Sequence, residues 1–276
     1  MTVSVHTNSS AMIALQNLNS TNKSLEDAQQ KISTGLDVSS AKDNASVYAI
    51  AQGQRADLGG LNAVTDSLNR ASSIADVSLA AGESVSDLLN ELREKVVGAM
   101  DTSIDTTSRN ALNSDYKAIL GQISHVVENA TFNGSNIIDG SLPSAIQFIA
   151  NADANSVITL SVRTIALGGP IISLSAGSNI STASNASALL GQLDTSIDNL
   201  NANLGALGSQ AKQIEGHLSF VSKLQDSITG GIGNLVDADM AKESSRLQAL
   251  QVQQQLGTQA LSIANQSPQQ ILSLFK

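Results

Sequence analysis

Apolar positions recur in long helical series along this chain, interrupted once near the middle by a stretch that alternates. Up to about Leu36, the residues Ala11, Leu18, Leu25 and Ile32 form a heptad row with Ala14, Thr21 and Ala28 beside it. Gly35 ends the row, where a left-handed residue usually follows a helix. Ser40-Ala-Lys-Asp43 reads as a capping box that opens a second helix. Its rows are Leu61, Leu68, Ala75, Gly82, Leu89, Val96 and Val64, Ala71, Ser78, Val85, Leu92, Ala99. A helix from Asp43 to Met100 would be about 85 Å long, too long for a small globular domain, so a rod is expected. Gly59-Gly60 is expected to bend or fray it.

Thr106-Thr107-Ser108 is expected to cap a shorter helix with rows Leu112, Ile119, Val126 and Tyr116, Ile123, Ala130. It stops at the turn pair Asn133-Gly134. The polar loop ahead of it turns the chain back along the rod, as in an antiparallel helical hairpin. From Ile137 to about Gly177 the period becomes strand-like. Ile146, Phe148 and Ala150 alternate, Asn151 to Asn155 makes a turn, and Ile158, Leu160 and Val162 alternate in reply. A further short strand is expected at Ile171 to Leu174.

The heptad then returns from Ser181 to Ile228, in Leu193, Leu200, Leu207, Ile214, Val221, Ile228 and Leu190, Ile197, Leu204, Ala211, Leu218. Gly230-Gly231-Ile232-Gly233 is expected to break it. The last segment, Asp237 to Lys276, opens on Asp237, Asp239 and Glu243, carboxylates suited to the positive end of a helix dipole. Its thin apolar stripe is Met240, Leu247, Leu250, Leu261, Ala264, Ile271 and Phe275, between small or amide faces such as Gln253-Gln254-Gln255. An isolated helix of this kind is marginal. We expect it to pair with the Ala11–Ile32 helix and to present its outer faces to copies of the same chain. Both ends are expected to be disordered in the monomer and helical in an assembly.

The expected fold is mainly α: a long antiparallel coiled-coil rod with paired terminal helices and one small β-hairpin region. The expected divisions are residues 1–36 and 230–276 for the terminal helices, 37–141 and 181–229 for the rod, and 142–180 for the β region.

Composition narrows the function. Of 276 residues 41% are hydrophobic but only 2% are aromatic, which suits narrow aliphatic seams between helices. Three prolines permit long helices, and the absence of cysteine leaves no disulfide framework or thiolate metal site. A net charge of −9 argues against nucleic acid or an anionic membrane as the main partner. No apolar run approaches a bilayer span, and the N-terminus lacks the regions of a secretory signal.

Several ordered motifs carry a resemblance: Lys31-Ile-Ser-Thr-Gly-Leu36 into Ser40-Ala-Lys-Asp-Asn44, and Asn129-Ala-Thr-Phe-Asn-Gly134. Val236-Asp-Ala-Asp-Met-Ala-Lys-Glu-Ser244, Gln259-Ala-Leu-Ser-Ile-Ala-Asn-Gln-Ser-Pro-Gln269 and Ile271-Leu-Ser-Leu-Phe-Lys276 complete the set. The chain resembles bacterial flagellin, most of all the short flagellins of alphaproteobacteria. Residues from about Leu142 to Ser184 carry no motif, as the family's variable region would lead one to expect. The resemblance implies a self-assembling hollow filament for swimming, its channel lined by the paired terminal helices. It also implies type III export without a cleaved signal, a secretion chaperone, a filament cap and hook-junction proteins as partners, and an extracellular location.

On this reading Ala11, Leu18, Leu25, Ile32, Leu247, Leu250, Leu261, Ala264, Ile271 and Phe275 pack the filament core. The rod seam is Leu61, Leu68, Leu89, Leu92, Leu112, Ile119, Leu193, Leu200, Leu207 and Ile214. Ser173, Ser175, Ser178, Ser181, Thr182 and Ser184 are candidate O-glycosylation positions by family analogy. Leu89-Asn-Glu-Leu-Arg-Glu-Lys95 resembles the stretch that an animal Toll-like receptor reads in enteric flagellins. Arg93 and Glu94 match it, whereas Glu91 stands where a basic residue is usual and Lys95 where a leucine is usual.

No catalytic, metal or cofactor site is expected. His6, His125 and His217 lie far apart, and Gly230-Gly-Ile-Gly233 lacks the Lys-Ser/Thr of a phosphate loop. Asp237-Ala-Asp239 lacks EF-hand spacing. Pro268 inside a helical pattern reads as a tolerated kink. The competing readings are a hook–filament junction protein and a non-flagellar coiled-coil tether.

Overall fold

The computed structural model describes residues 7–273, with side chains through Gln266. The elements are α1 (Ser9–Thr34), α2 (Ala45–Met100), α3 (Thr106–Asn129), β1 (Ile146–Ile149), β2 (Val157–Leu160), α4 (Ala183–Val236) and α5 (Met240–Ser273). They divide into a central unit, Asp57–Asp226, and a terminal unit made of Met1–Ala56 with Ser227–Lys276.

In the central unit α2 and α4 run antiparallel with a constant offset. Gln225 Nε2 donates to Asn62 Oδ1 at 2.9 Å, Ser86 Oγ to Asn201 Oδ1 at 3.3 Å, and Arg93 Nε to Asp194 Oδ1 at 2.7 Å. The heptad rows face each other between these bonds, burying Leu68, Leu89, Leu92, Leu193 and Leu200 completely. Gly82 lets the helices approach closely: a Cβ there would lie 2.3 Å from Leu204 Cδ2. The third helix folds back along α2, as its rows predict. Arg109 fixes the reversal by donating to the carbonyls of Ala99 at 3.1 Å and Asp101 at 2.7 Å at the end of α2, where cations are favoured.

The sheet is a two-stranded antiparallel hairpin with Ile146 opposite Leu160 and Phe148 opposite Ile158. Alternation turns Phe148 and Leu160 inward. The hairpin is tied to both long helices: the amide of Ile149 donates to Ser67 Oγ at 3.2 Å, and His217 Nε2 donates to the Ala150 carbonyl at 2.7 Å. The expected third strand does not form among the described residues. Ile171 and Ile172 are both buried, a pattern no alternating strand can give, and only an isolated bridge joins Leu167 to Ile172.

Three local expectations are corrected. The cap of α2 is Asn44, whose Oδ1 accepts the amide of Val47 at 3.2 Å. Asp43 instead faces backward, one carboxylate oxygen accepting from the amides and hydroxyls of Ser39 and Ser40. Those bonds, the Ser39 hydroxyl foremost, hold its carboxyl below the ordinary range. The cap of α3 is Asp105, accepting the amide of Ser108 at 2.9 Å, rather than a hydroxyl of the following Thr-Thr-Ser. The glycines, lastly, do not break helices. Gly59-Gly60 lies within continuous α2, and Gly60 makes room for the hairpin turn, since a Cβ there would stand 2.9 Å from that of Ala152. Gly230, Gly231 and Gly233 lie within α4, whose last turns stay helical because Ile232 and Val236 are buried against Val38 and Ala51. That burial outweighs the roughly 1 kcal/mol that each helical glycine costs. α5 likewise continues through Pro268. The Asn133-Gly134 turn forms as expected, both residues at positive φ (49° and 77°) between paired Phe132 and Ser135.

Candidate assembly surface

The terminal unit is organised by α1 and α5, which pack antiparallel on each other. Asn8 anchors one end: its Oδ1 caps α1 by accepting the Ala11 amide at 3.1 Å, and its Nδ2 donates to the Ala264 carbonyl at 2.7 Å. Midway, Gln254 Nε2 donates to Asn22 Oδ1 at 2.8 Å, and Gly257 admits Leu18 so closely that a Cβ would stand 3.1 Å from Leu18 Cδ1. Leu25, Ala28 and Leu250 are buried there with Leu247 against them.

At the other end Gly35 adopts φ 72° and donates to the Lys31 carbonyl, closing α1. The chain after it pairs with the start of the last segment: Asp37 N donates to Val236 O at 2.7 Å and Ala238 N to Gly35 O at 2.9 Å. Lys31 and Asp37 form an ion pair across the turn. Asp239 then caps α5, its Oδ1 accepting from the amides of Ala241 and Lys242 at 3.0 and 3.1 Å. Glu243 is buried; one oxygen lies 3.6 Å from Arg246 and the other has no hydrogen-bond partner.

The structure brings most of the expected stripe residues together on the inner side of this pair, whereas Met240 is 43% exposed at the start of α5. Leu25 and Leu250 are buried, while Ala11, Leu18, Ile32, Leu247, Leu261 and Ala264 are half-buried along the seam. The side chains of Ile271 and Phe275 lie outside the described residues. Reading the heptads alone missed the opposite side. Met12 (65% exposed), Ile13 (57%) and Leu15 (47%) on α1, with Val252 (55%), Leu256 (60%) and Ile263 (65%) on α5, stand in solvent. Their signal was in the sequence: large apolar residues out of phase with the stripe. The outer surface is therefore not only small and amide-bearing.

The rod positions lie in the central unit. Leu61, Leu68, Leu89, Leu92, Ile119, Leu193, Leu200, Leu207 and Ile214 are buried, and Leu112 is half-buried against Gly98. Glu91 is exposed and lines a shallow groove of about 530 Å³ between α2 and α3 with Asp87, Leu88, His125 and Val126. Lys95 leans on Asp115 at 3.9 Å. Among the six hydroxyls, Ser173, Ser175, Thr182 and Ser184 are exposed and Ser178 and Ser181 half-buried. Several are engaged: Ser178 with buried Tyr116 at 2.8 Å, Ser181 with Asn179 at 2.7 Å, and Thr182 as the cap accepting from Asn185. Burial pushes the Tyr116 phenol up, opposed by that serine bond. Among the described residues no group of three or more acidic, His or Cys side chains could hold a metal, and no helix is long and apolar enough to cross a membrane.

The bacterial flagellin N-terminal helical region matches residues 5–142, and the bacterial flagellin C-terminal helical region matches residues 190–275. The chain belongs to the bacterial flagellin family. It is 50% identical to flagellin FljM of Caulobacter vibrioides over 99% of this chain and 98% of that one. It is 41% identical to a flagellin of Brucella melitensis over 99% of both. A proposed flagellar hook-associated protein from Vibrio parahaemolyticus shares the fold, with a TM-score of 0.59 over 71% of this chain and all of that one, at 11% identity. Full-length likeness to flagellins makes the chain a structural subunit of the flagellar filament, which polymerises with copies of itself outside the cell.

Proposed function

We propose that the outer face of the α1–α5 pair is where one subunit meets the next. The observation that carries this reading is the exposed apolar group Met12, Ile13, Leu15, Val252, Leu256 and Ile263 on a helix pair whose inner seam is already filled. Burying such side chains is favourable by roughly 1.5–3 kcal/mol each, and a subunit alone gives them nothing to pack against. The inner stripe, Ala11 to Ile32 with Leu247 to Ala264, is what joins the two helices. Residues 1–36 and 230–276 are then the filament-core segments, 37–141 and 181–229 the rod segments, and 142–180 the variable β region. The seam from Leu61 to Ile214 keeps the central unit folded whether or not assembly has occurred.

The partners consistent with this role are a secretion chaperone, the filament cap and the hook-junction proteins, with type III export that needs no cleaved signal. The role is structural, with no catalysis and no cofactor. Of the candidate glycosylation positions, exposed Ser175 and Ser184 offer the most accessible hydroxyls, since that of Ser173 lies 3.3 Å from the hydroxyl of buried Ser196. Glu91 and Lys95 depart from the receptor-binding pattern, and a weak Toll-like receptor response in reporter cells is the expected outcome. The test of the assembly reading is seeding: purified subunit added to sheared polymer should extend it into hollow tubes visible by electron microscopy. Subunits that stay monomeric at high concentration with seeds present would refute it.

A further inference from the structure

One position of the inner stripe is filled against its pattern. On α5, Glu243, Leu250, Gly257 and Ala264 stand seven apart in one row, with Leu247, Gln254 and Leu261 in the row beside it. Gln254 is polar, but it is bonded to Asn22 at 2.8 Å. Glu243 is not served in this way, although its side chain is only 8% exposed. One carboxylate oxygen lies 3.6 Å from the Arg246 guanidinium, too far for a hydrogen bond. The other is shut off from solvent and meets no donor among the described residues. Lys31, the cation at this end of α1, is bonded to Asp37 instead. Taking a carboxylate out of water is costly unless donors replace the water it loses. The positive end of α5 offsets part of that cost, but Asp239 already holds the cap. When the two helices separate, Glu243 returns to water and the cost disappears. The charge therefore opposes the pairing that Leu25, Ala28 and Leu250 favour.

We propose that Glu243 is a built-in destabiliser of the α1–α5 pair, which keeps the ends of the free subunit apart until another copy covers their outer face; the second half rests on the assembly reading above. The apolar side chains of that outer face are buried only on assembly, and their burial pairs the helices in spite of Glu243. A binding-competent state that is only partly populated weakens apparent association by the fraction populated. Glu243 lowers the paired fraction, so it raises the concentration that the subunit must reach before it adds to the polymer.

The test takes two readings on wild type, Glu243→Leu and Glu243→Gln. One is the helix content of the dilute subunit by circular dichroism; the other is the free subunit left when elongation of sheared polymer stops. Glu243→Leu should raise helix content and lower the remaining concentration at least tenfold, about 1.4 kcal/mol per subunit. Glu243→Gln, which removes the charge and keeps the shape, should move both readings the same way by a smaller factor. Arg246→Ala should raise the remaining concentration in wild type but leave it unchanged in Glu243→Leu, where the guanidinium has no carboxylate to face. Unchanged or lower helix content in Glu243→Leu, or an equal effect of Arg246→Ala in both backgrounds, would overturn the proposal. Raised helix content with an unchanged or higher remaining concentration would overturn its second half alone. Failure of the wild type to elongate seeds would instead overturn the assembly reading and that second half with it, while the helix content would still decide the first.

Discussion

The two units are both built mainly from long helices but fill their interiors differently. In Asp57–Asp226, α2, α3, α4 and the hairpin close on several layers at once, so that Leu68, Leu89, Ile123, Ile138, Leu160, Ile172 and Leu193 are wholly enclosed. In the terminal unit the buried apolar residues among those described are Leu25, Ala28, Val38, Ala51, Ile232, Val236 and Leu250, two of them alanines. Meanwhile Met12, Ile13, Leu15, Val252, Leu256 and Ile263 stay in solvent. A helix pair has one seam and two outer sides, whereas a third and a fourth element can cover those sides. The difference is one of degree. The central unit also exposes Val97, Ile149, Val157 and Phe220, but it encloses far more large apolar side chains than the terminal unit does. On the proposed reading, the terminal unit's exposed residues are the ones another copy covers.

The largest break in that contrast comes from a charge on the reserved face. Ile263→Glu, or Leu261→Glu at the edge of the seam, should abolish elongation of seeds while leaving the urea unfolding midpoint of the central unit unchanged. Normal elongation by both variants would move the subunit contact elsewhere. Core truncation should separate the units next. Leu89→Ala, at a fully enclosed site, should cost about 2–5 kcal/mol in denaturant unfolding. The same change at half-buried Leu18 should cost only about 1 kcal/mol, since part of that side chain is already hydrated.

Smaller effects belong to the helix ends. Asn44→Ala removes the acceptor for the Val47 amide and should lower stability by about 1 kcal/mol, seen as faster exchange of the first amides of α2. The smallest is a response to acid. Hydrogen bonds depress the carboxyl pKa of Asp43 (from Ser39 foremost), Asp101 (from the Ser103 amide) and Asp105 (from Ser108) below the ordinary 3.8. A depressed folded value means these bonds stabilise the native turns fully above 3.8 and are lost as pH falls through the lower folded values. Amides at the start of α3 should therefore lose protection below that pH while the Leu89 region keeps its own.

Much of this was readable in the sequence because it is periodic. The heptad rows of α2 and α4 meet as written, the alternation of Ile146, Phe148 and Ile158, Leu160 gives the hairpin, and Gly35 and Asn133-Gly134 turn where expected. What was misread depends on distant packing or on competition between neighbouring acceptors. Gly60 is small because Ala152 approaches it, not because the helix bends or frays there. Gly230 to Gly233 stay helical because Val38 and Ala51 bury their neighbours. Asp105 and Asn44 take the caps that adjacent Thr106 and Ser40 also advertised. In the terminal pair, the stripe from Ala11 to Ala264 could be placed in the seam, but its period said nothing of Met12, Leu256 and Ile263. Their exposure depends on how many elements arrive to cover them.

Amide hydrogen exchange, compared between free subunit and polymer, tests the central contrast most directly. The amides of α1 and α5 should exchange rapidly in the dilute subunit and gain protection by at least a hundredfold on assembly, while those around Leu68, Leu89 and Leu193 should be protected equally in both. Strong protection of α1 and α5 already in the free subunit would contradict the account.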